Sequence, residues 1–326
     1  MTRDRRFDLL VAGELNPDII AVGPTVAPVF GQAETIVDAI RLEIGSSSAI
    51  VACGAARLGL RTAFVGVVGD DPFGRFMLDA LSARGIDVSA CRVDPTVPTG
   101  ATVVLSRGAD RAILTAIGAI DRLRVADIPN ELVAAARHLH VGSTYLQPDL
   151  AAALPGLFAE ARTAGTTTSF DCNWDPSEQW NGGIDELLRA ADVFLPNLEE
   201  ARRITGRTAS PAAAAELVRR AAQGREPGRP FTLAIKQGAS GAMALRGGWE
   251  YEVADAAGLP VEVVDSTGAG DSFDAGFLRG YIEGWPLPAT LELAVACGSL
   301  SVSGIGGTAA QPTLDAARAA LAAARL

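Results

Sequence analysis

Lysine is almost missing from this chain: Lys236 is the only one in 326 residues. It lies in AIKQG, so the phosphate loop GxxxxGK[ST] occurs nowhere in the sequence. Basic runs are missing as well. With 28 Lys and Arg against 38 Asp and Glu, the formal net charge is −10, which argues against nucleic acid or an anionic membrane as the main partner. Cysteine is sparse, and Cys53, Cys91, Cys172 and Cys297 form no CxxC pair; they read as small buried residues in a reducing compartment. No apolar run approaches about 18 residues, so no membrane span is expected. The N-terminal MTRDRRFDLLVAGEL is charged and then strand-like, too short in apolar length for a signal peptide, and a soluble cytoplasmic protein is the expectation. Internal repeats and low-complexity linkers are lacking, and the Gly/Pro-rich patch 223–230 reads as a surface loop.

What is present is alternation. Apolar, β-rich runs at 7–13, 61–68, 137–142, 166–171, 191–195 and 231–236 are separated by helical patterns at 47–58, 72–84, 148–164 and 210–222. Three further helices are expected at 271–283, 287–300 and 311–325. Continuous apolar strands between helices predict an α/β fold around a mostly parallel sheet, covered on both faces. Two regions break the pattern. Residues 16–44 carry extended segments with turns at Gly23-Pro24, Pro28 and Gly31, and 97–118 read as a β-hairpin turning at Arg107-Gly108-Ala109-Asp110. Together they predict a small sheet standing off the main body, a device for excluding water from a reaction.

The most informative stretch is VEVVDSTGAGDSFDAGFL, 261–278. A β-branched run, Val261 to Val264, meets a turn of small residues and then an apolar helical pattern. Strand, glycine turn and helix start make an anion site, because close backbone approach and free helix-start N–H groups come together there. Phe273 at the third glycine position rules out the GxGxxG dinucleotide fingerprint. Asp271 is the odd member. It is a favoured residue type at helix starts, yet beside a resting phosphate it would repel, which points to chemistry rather than holding. The reading is an anion hole from the N–H groups of Gly268, Ala269 and Gly270, with Asp271 as the base toward an attacking alcohol.

With that stretch in place, the whole chain resembles the ribokinase-like, PfkB-type carbohydrate kinases, and DSTGAGDSF is similar to the family's C-terminal signature. The resemblance implies a three-layer α/β/α sandwich with a β-sheet lid, a single kinase domain over 1–326 whose lid is formed by about 14–44 and 97–118. It implies ATP and Mg²⁺ as cofactors, a small sugar as partner, and a homodimer paired through exposed lid edges. It also implies site residues. Asn16 and Asp18, in Gly13-Glu14-Leu15-Asn16-Pro17-Asp18, fall where the family holds sugar hydroxyls. Gly45 and Ser46 fall in the N-terminal signature, also on the substrate side. Asn197 and Glu200 fit the Asn-x-x-Glu element that reaches nucleotide phosphate and organises Mg²⁺ through water; capping of the following helix fits them equally. Lys236, Gly238 and Gly241 match a turn bordering ATP. Asp265 and Thr267, with the later loop containing Ser301, Gly304 and Gly306, match a monovalent-cation site, which makes K⁺ a further expected cofactor.

The departures bear on substrate. Ser46 replaces the second glycine of the family's Gly-Gly-x-x-x-Asn, and Ile50 stands for its Asn, leaving an apolar wall. Gly142-Ser143-Thr144 occupy the place of an acidic sugar ligand found in some relatives. Asp171-Cys172-Asn173 is followed by Trp174-Asp175 where sugar-acid kinases carry a basic residue, which weakens a carboxylate-bearing substrate. Arg107 and Arg111 either reach a substrate phosphate or are solvated turn charges, the second being favoured. His138 and His140 face one way and lack a third metal ligand, so they read as a packed pair. The expected activity is γ-phosphoryl transfer from ATP to a hydroxyl of a small sugar or polyol. A nucleoside kinase of the same fold, with Ile50, Val29 and Phe30 against the base, and a non-catalytic sugar sensor are the alternatives.

Overall fold

The computed structural model describes residues 5–107, 110–226, 228–248 and 250–325. The expected hairpin turn lies partly outside these residues, at 108–109, as does the side chain of Arg107. Strand β1 (Phe7–Ala12) is buried at every position; β2 (Pro17–Val22) and β3 (Ala39–Ile44) follow, before helix α1 (Ser47–Arg57). Next come β4 (Thr62–Val65), β5 (Val67–Gly69), α2 (Pro72–Ser82) and β6 (Arg92–Asp94). The hairpin β7 (Ala101–Arg107) and β8 (Asp110–Ala116) leads to α3 (Asn130–Ala135), β9 (Ala136–Val141) and α4 (Pro148–Thr163). Then β10 (Thr167–Phe170), α5 (Ile184–Ala190), β11 (Val193–Phe194), α6 (Leu198–Thr205) and α7 (Ser210–Ala222) alternate. The chain ends with β12 (Phe231–Lys236), β13 (Ala242–Gly247), β14 (Tyr251–Ala256), α8 (Ala269–Ile282), α9 (Leu287–Ser301) and α10 (Leu314–Ala323).

The main sheet has eight strands in the order β14-β13-β12-β11-β10-β9-β1-β4. Pairing is parallel from β4 to β12 and antiparallel through β13 and β14. Two buried apolar clusters, one on each face, sandwich it. One contains Leu10, Leu139, Phe158 and Phe194, the other Leu9, Val51, Phe64, Phe277 and Leu291. Neighbouring residues of β1 thus supply opposite cores, as the period of two requires. The small sheet is β3-β2-β7-β8, built from the two regions that broke the α/β alternation.

Two expectations need correction, and one pair of strands has no counterpart among them. The run 61–68 is two strands in different sheets, β4 and β5. Gly66 separates them at a close approach, where a Cβ would meet the Phe64 ring at 2.8 Å and the Gly13 carbonyl at 2.9 Å. Val261–Val264 is not a strand at all. The sheet already ends at β14, so β propensity finds no partner there; Val264 and Asp265 donate instead to the Val302 carbonyl. The antiparallel pair β13–β14 was not anticipated, because 242–256 alternates weakly between small and polar residues.

Candidate active site

Five parallel strands, β1, β9, β10, β11 and β12, deliver their carboxyl ends to one place, where chemistry-bearing loops of open sheets usually gather. The small sheet stands over this edge. Between them lies a cavity of about 730 Å³, into which both α1 and α8 point their first turns, through Ser46-Ser47 and through Gly268 to Asp271.

The turn before α8 needs its first glycine twice over. Gly268 has φ of 73°, and a Cβ there would lie 2.6 Å from the Gly307 Cα. Helix α8 then starts at Ala269, which places Asp271 at its third position rather than its start. Burial lifts the Asp271 carboxyl to about 6; Lys236 opposes this, Asp171 adds to it, and Ser47 opposes it by a hydrogen bond. The ionising influence expected of a helix start is therefore outweighed. Ser46, at the second-glycine position, also adopts a left-handed φ of 68°. Its hydroxyl donates to the Glu14 carbonyl at 2.6 Å and accepts from Ala49 N, two bonds that offset the strain.

Asp18 and Asn16, expected to meet substrate hydroxyls, line the cavity. Asn16 donates to Thr102 of the small sheet at 3.3 Å. Burial pushes the Asp18 carboxyl to about 7, with the charge of Asp271 adding and that of Arg111 opposing. Gly45 acts by what it lacks: a Cβ would sit 2.1 Å from Asp18 Oδ1. Sequence reasoning passed over Glu14. It is buried and accepts from Ser48 N, Ser48 Oγ, Ser143 Oγ and Gln147 Nε2, which ties the ends of β1 and β9 to α1. A carboxylate two residues beyond the apolar run Leu9–Ala12 was the available signal. Asn173 extends the network, donating to Ser47 and Ser143 at 3.1 Å each.

On the opposite side, Asn197 caps α6 in a reciprocal box with Glu200, so the capping reading of this pair holds. Both still line the cavity. Burial raises the Glu200 carboxyl to about 8, Asp171 adding and Lys236 opposing. Lys236 and Gly238 line the cavity as well, but Gly241 does not; it lets the backbone pass Ala256, whose carbonyl a Cβ would overlap at 1.9 Å. Among the described residues, Asp171, Cys172 and Glu200 have ligand atoms within 4.8 Å of one another, as do Asp171, Asp271 and Asp274. The second group is already met by the Lys236 ammonium, which stands on Asp171 and Asp274. In the first, the Cys172 thiol, raised well above its ordinary value by burial, does not suit a hard cation, which leaves Glu200 as the carboxyl on this side open to Mg²⁺ carried with ATP.

Of the residues expected to hold a monovalent cation, three meet. Asp265 Oδ1 accepts from Thr267 N and Oγ1, and Oδ2 accepts from Gly306 N at 2.9 Å. Ser301 turns its hydroxyl back to Gly298, and Gly304 packs on Ala309 and Ala310. Arg111 remains exposed, as its favoured reading had it, but it lies in β8 rather than in the turn and donates to Thr267 Oγ1 at 3.1 Å and Ser266 Oγ at 3.4 Å, beside the glycine turn. Val29 and Phe30 are 62% and 98% exposed and form no wall of the cavity. Its apolar roof is Val104, Ile113, Ile117 and Ile120, with Ile50 and Leu146. His138 and His140 bond Thr167 and Ser169 inside the sheet, away from the cavity. Asp175, at the basic position of sugar-acid kinases, turns inward to accept from Ser177 N and Trp180 N.

The model of the pfkB family of carbohydrate kinases matches residues 7–314. The fructokinase of Klebsiella pneumoniae is 35% identical over 288 residues, 83% of this chain and 89% of that protein. The 2-dehydro-3-deoxygluconokinase of Bacillus subtilis is 31% identical over 279 residues, 81% of this chain and 82% of that protein. A candidate ribokinase II from E. coli, solved with ATP and Mg²⁺, has the same fold: TM-score 0.81 at 22% identity, covering 97% of this chain and 99% of that one.

Proposed function

The chain belongs to the pfkB family of carbohydrate kinases, and we propose that it transfers the γ-phosphoryl group of ATP to a hydroxymethyl group of a small neutral sugar. The observation that carries this is the placing of Asp271 and the Gly268–Gly270 backbone in one cavity with Asp18 and Asn16. Asp18 and Asn16 accept from and donate to sugar hydroxyls, which holds the acceptor alcohol against Asp271. Asp271 takes the alcohol proton as the oxygen attacks the γ-phosphorus in line; the bond to the β,γ-bridging oxygen breaks and ADP leaves. The first-turn amides of α8 face the charge that spreads over the transferring oxygens. Mg²⁺ bound with ATP on the Glu200 side neutralises charge on the phosphates.

A neutral substrate is favoured by what lines the walls. Asn16, Asp18 and Asn173 offer hydrogen-bond partners for hydroxyls, and Asp271, ionised above about pH 6, would repel a substrate carboxylate held beside it. The apolar roof favours a second reading, a nucleoside whose base lies against Ile113, Ile117 and Ile120. A panel of neutral sugars, sugar acids, sugar phosphates and nucleosides with ATP and Mg²⁺ separates them. Highest kcat/KM on a neutral sugar is expected; preference for a nucleoside or a sugar acid overturns the first reading, and no turnover on any member favours a sensor.

Two finer features belong to the same reading. Asp265, Thr267 and the loop at Gly306 would hold K⁺, whose charge would support the anion hole; activity unchanged with Na⁺ in its place overturns this. The lid pairs with that of a second copy through its outer face, where Ile40, Leu42 and Leu114 are exposed. A monomeric mass in solution at micromolar concentration would remove that assignment.

A further inference from the structure

Lys236 matched a turn bordering ATP, but its ammonium is already engaged. Nζ lies 2.6 Å from Asp171 Oδ2 and 3.1 Å from each carboxylate oxygen of Asp274. Three donors thus meet three carboxylate oxygens, in a place where Asp171 and Asp274 are almost wholly buried. The three residues come from three elements. Lys236 ends β12, Asp171 follows β10, and Asp274 lies one turn beyond Asp271 on the same side of α8. Each neighbour of this triad belongs to the site. Asp171 leads into Asn173, Lys236 N donates to the Pro196 carbonyl beside Asn197, and a Cβ on Gly270 would lie 3.6 Å from Nζ.

We propose that Lys236 is a positioning residue, whose ammonium clamps Asp171 and Asp274 and thereby fixes the first turns of α8, aiming Asp271 and the anion-hole amides. The clamp also keeps a single positive charge beneath a floor otherwise lined with carboxylates. Without it, Asp171 and Asp274 face one another, and breaking a buried ion pair from one side is the costly way to break it. This rests on Asp271 being the base, so the test is read in an enzyme whose Asp271→Asn variant is inactive; an active Asp271→Asn variant refutes the base assignment by itself.

Lys236→Met is expected to lower kcat about 100-fold, the scale of a misplacement of about 1 Å in a reacting group. KM for ATP and for the best panel substrate stays within about threefold, since the ammonium's three donors are taken up by Asp171 and Asp274. The acid limb of the kcat profile moves to higher pH, because Asp271 loses its nearest positive charge. Adding Asp274→Asn to Lys236→Met removes one of the two facing carboxylates and restores about tenfold of the loss. A raised KM for ATP with kcat retained overturns the proposal in favour of a direct nucleotide contact. A lowered kcat with an unmoved acid limb and no restoration overturns it in favour of a purely structural pair. If Lys236→Met does not fold, Asp274→Asn alone, which keeps the Lys236–Asp171 bond, must lower kcat with KM unchanged; an unaltered kcat refutes the clamp.

Discussion

The floor of the cavity, made by strand ends and the first turn of α8, is crowded with acceptors: Glu14, Asp18, Asp171, Asp271 and Glu200. The roof, made by the small sheet and the segment after it, is built of Val104, Ile113, Ile117 and Ile120, and among the described residues sends down the guanidinium of Arg111. The two surfaces answer different questions. Proton transfer and charge stabilisation need groups fixed on rigid elements, and the floor is anchored by the parallel sheet and two helix starts. In the proposed reaction the shape and polarity of the acceptor would be met by the roof, and apolar side chains discriminate weakly and tolerate replacement. If the division is real, changes in the floor reduce kcat, while changes in the roof redistribute kcat/KM among substrates.

The largest effect is expected at the floor. Asp271→Asn keeps size and position but removes the basic oxygen, and turnover should fall by about 10²–10⁴-fold, the range for a positioned general base. ATP affinity, followed by calorimetry, should remain. In the parent enzyme kcat should rise with pH through about 6, since burial raises the Asp271 carboxyl to about that value and only the ionised form accepts the proton. Near-parental turnover in the variant would move the base elsewhere.

Legibility follows the same division. Gly268 could be read from sequence because a left-handed turn pressed against Gly307 admits no other residue, and such constraints leave short, specific patterns. Asp271 followed from its place in that pattern. The roof left only strand alternation, which tells that one face is covered but not by what. Arg107 and Arg111 look alike in sequence, and it took the register of β7 on β8 to bring Arg111 over Thr267. Lys236 was legible as a site residue and not as a clamp, because Asp171 and Asp274 are 65 and 38 residues away along the chain. Val261–Val264 misled for the opposite reason: local preference was clear, and the sheet offered no edge.

A smaller effect is expected from the roof. Arg111→Ala removes the hydrogen bonds from lid to glycine turn, and a charge-assisted bond at a partly open site makes a loss of about tenfold in kcat/KM reasonable. The loss should fall mainly on KM for the sugar, because the lid closes over that side. A kcat loss as deep as that of Asp271→Asn would erase the distinction between floor and roof, and an unchanged kcat/KM would make Arg111 a surface residue after all.

The smallest effect concerns stability, and it separates the floor from the rest of the core. Burial raises Asp18 to about 7 and Glu200 to about 8, so the folded protein binds these protons more tightly than the unfolded chain does. The stability they contribute is complete below about pH 4 and is lost as pH rises through 7 and 8. The buried His138 and His140 work the other way: burial lowers both, His140 to about 4, so stability gained from them grows until the unfolded imidazoles are neutral near pH 6.5. The opposed contributions overlap at acid pH and part above it. Asp271, raised to about 6, adds to the loss over the acid range, so the clean expectation without nucleotide lies above it: Tm should fall by a few degrees from about pH 7 to 8.5, where the imidazoles no longer offset Glu200. Glu200→Gln should flatten that fall, and Mg²⁺ with ATP should do the same in the parent by placing positive charge where the carboxylates crowd. A Tm that climbs across the alkaline range would mean these carboxyls are ionised in the resting protein, and that the floor is balanced by a cation already bound.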